Sequence, residues 1–373
     1  MRQNQSRWNR RTFLRFSGGV AGVALLAACH PIVAPTTTGP ISGAGIGAGK
    51  EQARFAYVGA YARGAPSSGT TTAQQSQPDG IAVFAVTPST GALTHVETVP
   101  SANPSFLAIH PTQRYLYAGN VIADYEGKDA GSLEAYAIDE HTGKLTLLNR
   151  QAVGSMPSYL AIDPSGSALV VATDQGASYQ VLPIKADGIL EPVSDEVQQR
   201  GSGPHERQAA PHPSCVMFDP GGHYVATADL GIDKVEIFKL FNGKLVKVSE
   251  ADVAPGSGPR QLAFHPTAKA LYVMNELTAT ITAFAYDAES GAVGNNFQTI
   301  VALPADLASR QNRAEIRVHP SGKFLYAANL KFKEHPLVND ITVFPIDAAT
   351  GKLGAVMDKQ RPTVQGQKKE NKA

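Results

Sequence analysis

The chain has 373 residues, 43% of them hydrophobic and 17% charged, with 33 Lys and Arg set against 32 Asp and Glu for a formal net charge of +1. That hydrophobic content can fill a large core and excludes global disorder. The balanced charge excludes a basic nucleic-acid face and any broad attraction to anionic membranes.

Residues 1–29 read as an export signal. Asn9-Arg10-Arg11-Thr12-Phe13-Leu14-Arg15 places an arginine pair before bulky apolar residues, and an uncharged run from Phe16 to Ala28 follows. That run is too short to span a bilayer comfortably. It ends in Leu26-Ala27-Ala28-Cys29, which resembles a bacterial lipobox. Cys29 is therefore the expected lipidation point, an N-terminal lipid anchor the expected tie to the membrane, and the periplasm or cell envelope the expected location. The alternative is a plain signal with a chance cysteine. Only Cys215 then remains as a thiol, so no intramolecular disulfide is expected. Residues 30–52, rich in Pro, Thr, Gly and Ala, read as a flexible linker.

From residue 53 to 357 the sequence repeats itself. Five segments align without gaps: Pro104–Pro111, Pro157–Pro164, Pro213–Pro220, Pro259–Pro266 and Arg313–Pro320. Each reads as a strand entering a turn. A returning strand follows, as in Tyr115–Gly119, Leu271–Met274 and Phe324–Ala328; then comes an alternating strand such as Leu133–Ile138, a glycine turn, and the start of a fourth strand. The turn glycines are Gly91, Gly143, Gly188, Gly243, Gly291 and Gly351, 45 to 60 residues apart, which is the period of a propeller blade. The expected fold is thus all-β, a propeller of about six four-stranded blades. Phe55–Gly59 reads as a second strand, so the first blade opens incomplete. Residues 358–373 are polar and lysine-rich and read as a disordered tail.

The first strand of a blade lines the channel and the second returns beside it, so the start of one and the end of the other share a rim. At the second position of the motif, where other repeats carry Ser105, Ser158, Ser214 and Ala314, one repeat carries Arg260. Past the returning strand, where Val121, Leu230 and Leu330 are apolar, the same repeat has Glu276. Arg260 suits a carboxylate, a phosphate or a developing oxyanion. Glu276 suits proton abstraction from water if its surroundings lift its pKa; a structural ion pair is the plainer alternative. The long connection 201–213 precedes a channel strand and brings His205, Glu206, Arg207 and His212 to the same rim. Asp174 and Asp229 end returning strands and are read first as turn caps. His110, His265 and His319 share a turn position with Asp163 and Asp219, which points to turn geometry. No nucleophile elbow, paired Cys-x-x-Cys, zinc-binding helix or phosphate-loop motif occurs.

The phrases Arg207-Gln208, His212-Pro213, Asp229-Leu230-Gly231-Ile232-Asp233, Gly258-Pro259-Arg260, Asn275-Glu276-Leu277 and Val318–Tyr326 resemble the propeller-type lactonase family. That family includes bacterial 6-phosphogluconolactonases of the propeller kind and fungal carboxy-cis,cis-muconate lactonising enzymes. The resemblance implies a seven-bladed ring, lactone chemistry in the channel, a small-molecule lactone as partner, and no metal or organic cofactor. Catalytic roles are expected for Glu276, Arg260 and His212, and substrate contacts for Arg207, Asp229 and, from its place in the 201–213 connection, His205; the resemblance supports all of these but His205. Two departures stand out. The family's histidine directly before the strand that follows the 201–213 connection is Ser214 in this sequence, and no last-blade Pro-Arg pair is present. The expected activity is hydrolysis of a sugar lactone. The alternatives are a membrane-anchored propeller that binds a protein or glycan, and a truncated, inactive family member.

Overall fold

A computed structural model describes residues 54–60, 80–267, 269–302, 312–331 and 340–360. The expected signal, Cys29 and the linker lie outside them. Six antiparallel sheets follow one another in chain order. Blade one has three described strands: β1 (Phe55–Gly59), β2 (Gly80–Val86) and β3 (Leu93–Pro100). Blade two has β4 (Pro104–Ile109), β5 (Tyr115–Asn120), β6 (Gly131–Ile138) and β7 (Leu145–Val153). Blade three has β8 (Pro157–Ile162), β9 (Ala168–Thr173), β10 (Ser178–Pro183) and β11 (Asp195–Gln198). Blade four has β12 (Pro213–Phe218), β13 (Val225–Asp229), β14 (Lys234–Phe241) and β15 (Lys244–Asp252). Blade five has β16 (Pro259–Phe264), β17 (Ala270–Asn275), β18 (Thr280–Asp287) and β19 (Ala292–Val301). Blade six has β20 (Asn312–Val318), β21 (Phe324–Lys331), β22 (Asp340–Pro345) and β23 (Asp358–Gln360). This is the propeller the repeats predict, and β1 pairs with β2 as a second strand should.

The inner strands β4, β8, β12, β16 and β20 pack side by side in that order, and β1, a second strand, packs on β4 as β5 does on β8. The cores lie between neighbouring sheets: Tyr57, Ile81 and Val83 of blade one meet Leu116, Ala118 and Tyr136 of blade two. Blades two to five are covered on both faces by their neighbours, so second strands such as Tyr115–Asn120 and Ala168–Thr173 are buried along their length instead of alternating. Tyrosine hydroxyls stitch successive blades: Tyr57 donates to Gly143 O (3.0 Å), Tyr117 to Gly188 O (3.0 Å) and Tyr272 to Gly351 O (2.6 Å). Burial pushes all three phenols well above their ordinary pKa. The six turn glycines take φ between +68° and +85°, as the glycine turns require.

The turn histidines behave as their position suggests. His110 Nδ1 meets Thr112 Oγ1 at 2.8 Å and His110 Nε2 meets Gly166 O of the next blade at 2.9 Å; His265 does the same with Thr267 and Gly322. The expected domain boundary at residue 357 needs correction. Asp358–Gln360 forms the outer strand of blade six, with Val343 opposite Asp358 and Ile341 opposite Gln360. An outermost strand answers the free ladder groups of β22 and needs no apolar alternation, so its polar residues gave no strand signal. Residues 361–373 of the expected tail lie outside the described residues.

Candidate functional site

The channel strands β4, β8, β12 and β16 share a defect at the rim that β20 lacks. In β16 the pairing jumps from Pro259↔Asn275 to Gln261↔Met274, leaving residue 260 as the extra residue of a β-bulge. The same jump falls at Ser105, Ser158 and Ser214. A bulged residue is free of the ladder and its side chain is re-aimed. Ser158 Oγ turns onto the carbonyls of Ala172 (3.3 Å) and Pro213 (2.7 Å), and Ser214 Oγ onto those of Ala228 and Pro259, each at 2.9 Å. These serines tie one blade's inner strand to the next.

Arg260 occupies the bulge of blade five. Its side chain is 11% exposed, and its contact among the described residues is an ion pair from Nε to Glu276 Oε2 at 3.7 Å, too long for a hydrogen bond. Among the described residues this desolvated guanidinium has donors to spare, which suits an anion.

Glu276 follows β17, with its amide nitrogen fixed on Gly258 O at 2.7 Å. Oε1 accepts from Arg207 Nη2 at 2.8 Å, and Oε2 has no hydrogen bond. The carboxylate, 4% exposed, therefore sits between two guanidiniums. Arg207 comes from the one-turn 3₁₀ segment Glu206–Gln208, which other residues position. His205 caps that turn, its Nδ1 accepting from Arg207 N at 3.1 Å, while Gln208 Oε1 accepts from His205 N. Gln208 Nε2 donates to Leu230 O and to Asp233 Oδ1, both at 2.8 Å, and Asp233 Oδ1 also accepts from Gly258 N at 2.8 Å. One carboxylate thus ties the Arg207 turn to the Gly258 turn that holds Glu276. Gly231 gives the connection its seat: a Cβ there would lie 1.9 Å from Ala210 O.

On the side of blades three and four, His212 Nδ1 lies 2.5 Å from Asp174 Oδ1. A carboxylate can only accept, so Nδ1 carries the proton and Nε2 is left with a lone pair. The hydrogen bond from Asp174 raises the His212 pKa, and the Arg207 charge opposes that rise. Asp229 Oδ1 accepts from His212 N (2.7 Å) and Gly231 N (2.8 Å), and burial pushes its carboxyl up to about 6.

The expected site residues therefore form two groups joined by the 201–212 connection: Arg260, Glu276 and Arg207, and His212 with Asp229. His205 has a local capping role. Ser214, expected directly before the strand, is the second residue of β12 and fully engaged in the blade seam; His212 is the histidine beside the strand's first residue. Sequence reasoning missed Asp174 as the partner of His212, Gln208 and Asp233 as positioning residues, and a cluster inside the channel. There Arg317 Nη2 of β20 reaches Tyr159 Oη of β8 at 2.8 Å and lies 2.8 Å from Glu315 Oε1. Burial raises the Glu315 pKa. The third motif position carried the signal: Phe106, Tyr159, Cys215, Gln261 and Glu315 differ in every repeat. Among the described residues, no three His, Cys, Asp or Glu side chains are grouped to hold a metal ion.

A family model described as lactonase, 7-bladed β-propeller matches residues 56–363. The chain is similar to the 6-phosphogluconolactonase of Bacillus subtilis, 32% identical over 302 residues and covering 80% of each chain. It is also similar to that of Formosa agariphila, 30% identical over 284 residues, 74% of this chain and 77% of the other. Among solved structures it resembles the periplasmic gluconolactonase of Pseudomonas aeruginosa, with a TM-score of 0.69 at 26% identity, covering 84% of this chain and 83% of that one.

Proposed function

The chain belongs to the lactonase family of 7-bladed β-propellers, and from that premise we propose that it is a carboxylic-ester hydrolase that opens a sugar lactone at the rim of its channel. The observation that carries this reading is the nearly buried Arg260 fork, which has no hydrogen-bond acceptor among the described residues. The relatives named as sugar lactonases support it. Water attacks the lactone carbonyl, and His212 Nε2 takes its proton while Asp174 holds Nδ1–H. Arg260 receives the oxyanion. Collapse breaks the bond between the carbonyl carbon and the ring oxygen, and His212 returns the proton to that oxygen. The new carboxyl group then loses its remaining proton to solvent, and the carboxylate faces the same guanidinium. Glu276 serves as the counter-charge that fixes Arg207 and Arg260. The sequence offers Glu276 as base or water-positioner or as an ion-pair partner, and a carboxylate held between two cations fits the last of these.

Sign and direction for the base follow from its hydrogen bond. A raised His212 pKa keeps the ring protonated at and above its ordinary value of about 6.5, so the competent neutral form accumulates as pH rises. We further propose that the protein is exported and lipid-anchored at Cys29, a reading supported by Arg10-Arg11 and Leu26–Cys29 and consistent with the periplasmic address of the Pseudomonas relative. Hydrolysis of a panel of sugar lactones, corrected for spontaneous opening, tests the activity. A well-folded chain with no turnover on any of them would favour a binding propeller instead.

A further inference from the structure

We propose that the hairpin tip between the third and fourth strands of blade four docks on an anionic lipid surface and leaves the catalytic rim facing the aqueous phase. The setting rests on the export reading, but the docking surface is tested without it.

The repeat marks the place. In blades two, five and six the residue entering this turn is Asp139, Asp287 or Asp347, and each carboxylate caps its turn by accepting from the backbone N–H of Thr142, Glu289 or Thr350. Blade four closes instead with two left-handed residues, Asn242 (φ 51°) and Gly243 (φ 72°), and Phe241 stands where the others have aspartate. Such a two-residue turn needs no carboxylate cap, and it makes no demand for an aromatic ring either. Phe241 is 58% exposed, and Val246 and Val248 of β15 are 52% and 41% exposed. The pairs Lys239↔Val246 and Phe241↔Lys244 set these four side chains on one face of the ribbon. Further along the same strands Lys234 and Lys247 are paired with Glu250 and Glu236, whereas Lys239 and Lys244 are exposed and have no ion pair among the described residues. A single exposed apolar residue is ordinary. A ring and two valines beside unpaired ammoniums are the makings of an interfacial anchor, whose ring enters the acyl boundary while its cations meet lipid phosphates.

The tip and the expected tether share a face. β14 starts at the rim, where Lys234 pairs with Asp229, and runs away from it, so Phe241 lies on the opposite face. The chain enters the propeller on that same face: Val86 N donates to Arg54 O at 2.9 Å, and Phe55 lies against Gly143, the turn glycine of blade two. Roughly two dozen residues separate Cys29 from Arg54, and a flexible chain of that length reaches about 25–30 Å. A tether at Cys29 therefore holds this face toward the bilayer and supplies the effective concentration that so small an anchor lacks by itself. The other turns on the face carry Asp139, Glu140, Asp287, Glu289 and Asp347, which an anionic surface repels, so contact is confined to the blade-four edge.

The test uses the chain beginning at Cys29, coupled through that thiol to a maleimide lipid in vesicles. Cys215 is buried, with its thiol pushed up to about 12, and does not compete. The attachment is chemical, so the result decides the docking surface whether or not cells acylate Cys29. Trp8 precedes this chain, which has no other tryptophan, so Phe241→Trp introduces a single reporter. On vesicles containing phosphatidylglycerol its emission should shift to the blue and be quenched by brominated acyl chains; on pure phosphatidylcholine it should do neither. Adding Lys239→Gln and Lys244→Gln should lower the ratio of docked to undocked tips roughly 25-fold, about fivefold per lysine. Emission unchanged on anionic vesicles, equal insertion into neutral ones, or equal quenching of a Glu140→Trp reporter on the blade-two turn overturns the proposal. Self-association of the untethered chain that Phe241→Asp abolishes would assign the surface to a second copy and overturns it as well.

Discussion

Two bulges built on one backbone pattern are used in opposite ways. At Ser214 the re-aimed side chain is short, fully buried and spends its hydrogen bond on carbonyls of its own blade and the next. At Arg260, one blade further on, the same bulge carries a long cation that has no hydrogen bond to any described residue and lies 3.7 Å from the Glu276 carboxylate. The repeat supplies a rim position whose side chain is free of the ladder, and the residue placed there decides whether it closes a seam or waits for a ligand. The difference also explains why a serine in the family's histidine position is compatible with a working rim: Ser214 stabilises the seam, and the imidazole is two residues earlier.

The comparison can be broken most sharply at Arg260. Arg260→Ala should lower lactone kcat/KM on the order of 100- to 1000-fold, as removal of an oxyanion partner does. Its melting temperature should hold, because Arg207 remains hydrogen-bonded to Glu276 when the longer Arg260 ion pair is lost. Arg260→Ser, which installs the neighbouring blades' residue, should be equally inactive and gain roughly 1 kcal/mol if its hydroxyl finds the equivalent carbonyls. Asp174→Asn should cost about 10- to 100-fold in kcat/KM and move the acid limb of the pH–rate profile to lower pH, because the hydrogen bond that raises the His212 pKa is weakened. A limb that stays in place would remove His212 from the proton transfer.

Asp229 gives a prediction in stability. Burial lifts its folded pKa to about 6, above the ordinary aspartate value of 3.8. Its contribution is therefore fully present below the unfolded pKa and lost as pH rises through the folded one, about 3 kcal/mol in all. Denaturant unfolding of Asp229→Asn between pH 4 and pH 7 should show that fall removed. The smallest effect belongs to the seam. Ser214→Ala should cost about 1–2 kcal/mol of stability by leaving a buried carbonyl short of a donor, with lactone turnover within a few-fold of wild type. A large loss of activity with stability kept would mean that the hydroxyl serves the rim.

The blade repeat was legible in the sequence because each blade must cover its neighbour with the same apolar strands and close with the same left-handed glycine turn. The meeting of Arg260 and Glu276 followed from strand geometry, since both belong to one antiparallel pair. The bulge did not, because an extra residue at a fixed motif position looks like ordinary strand. Contacts between blades were equally hidden: Asp174 meets His212 from 38 residues away and Tyr159 meets Arg317 from 158. Repeat position gives depth in the channel, whereas which blades face one another across it is set by the ring.

The most direct test of the central claim is steady-state hydrolysis of gluconolactone and its 6-phosphate by wild type and Arg260→Ala, with thermal melts run on the same samples. The account predicts turnover well above spontaneous opening in the wild type, and its collapse in a variant that melts no lower. Equal rates from the two proteins, or a folded wild type that leaves both lactones to open by themselves, would contradict it.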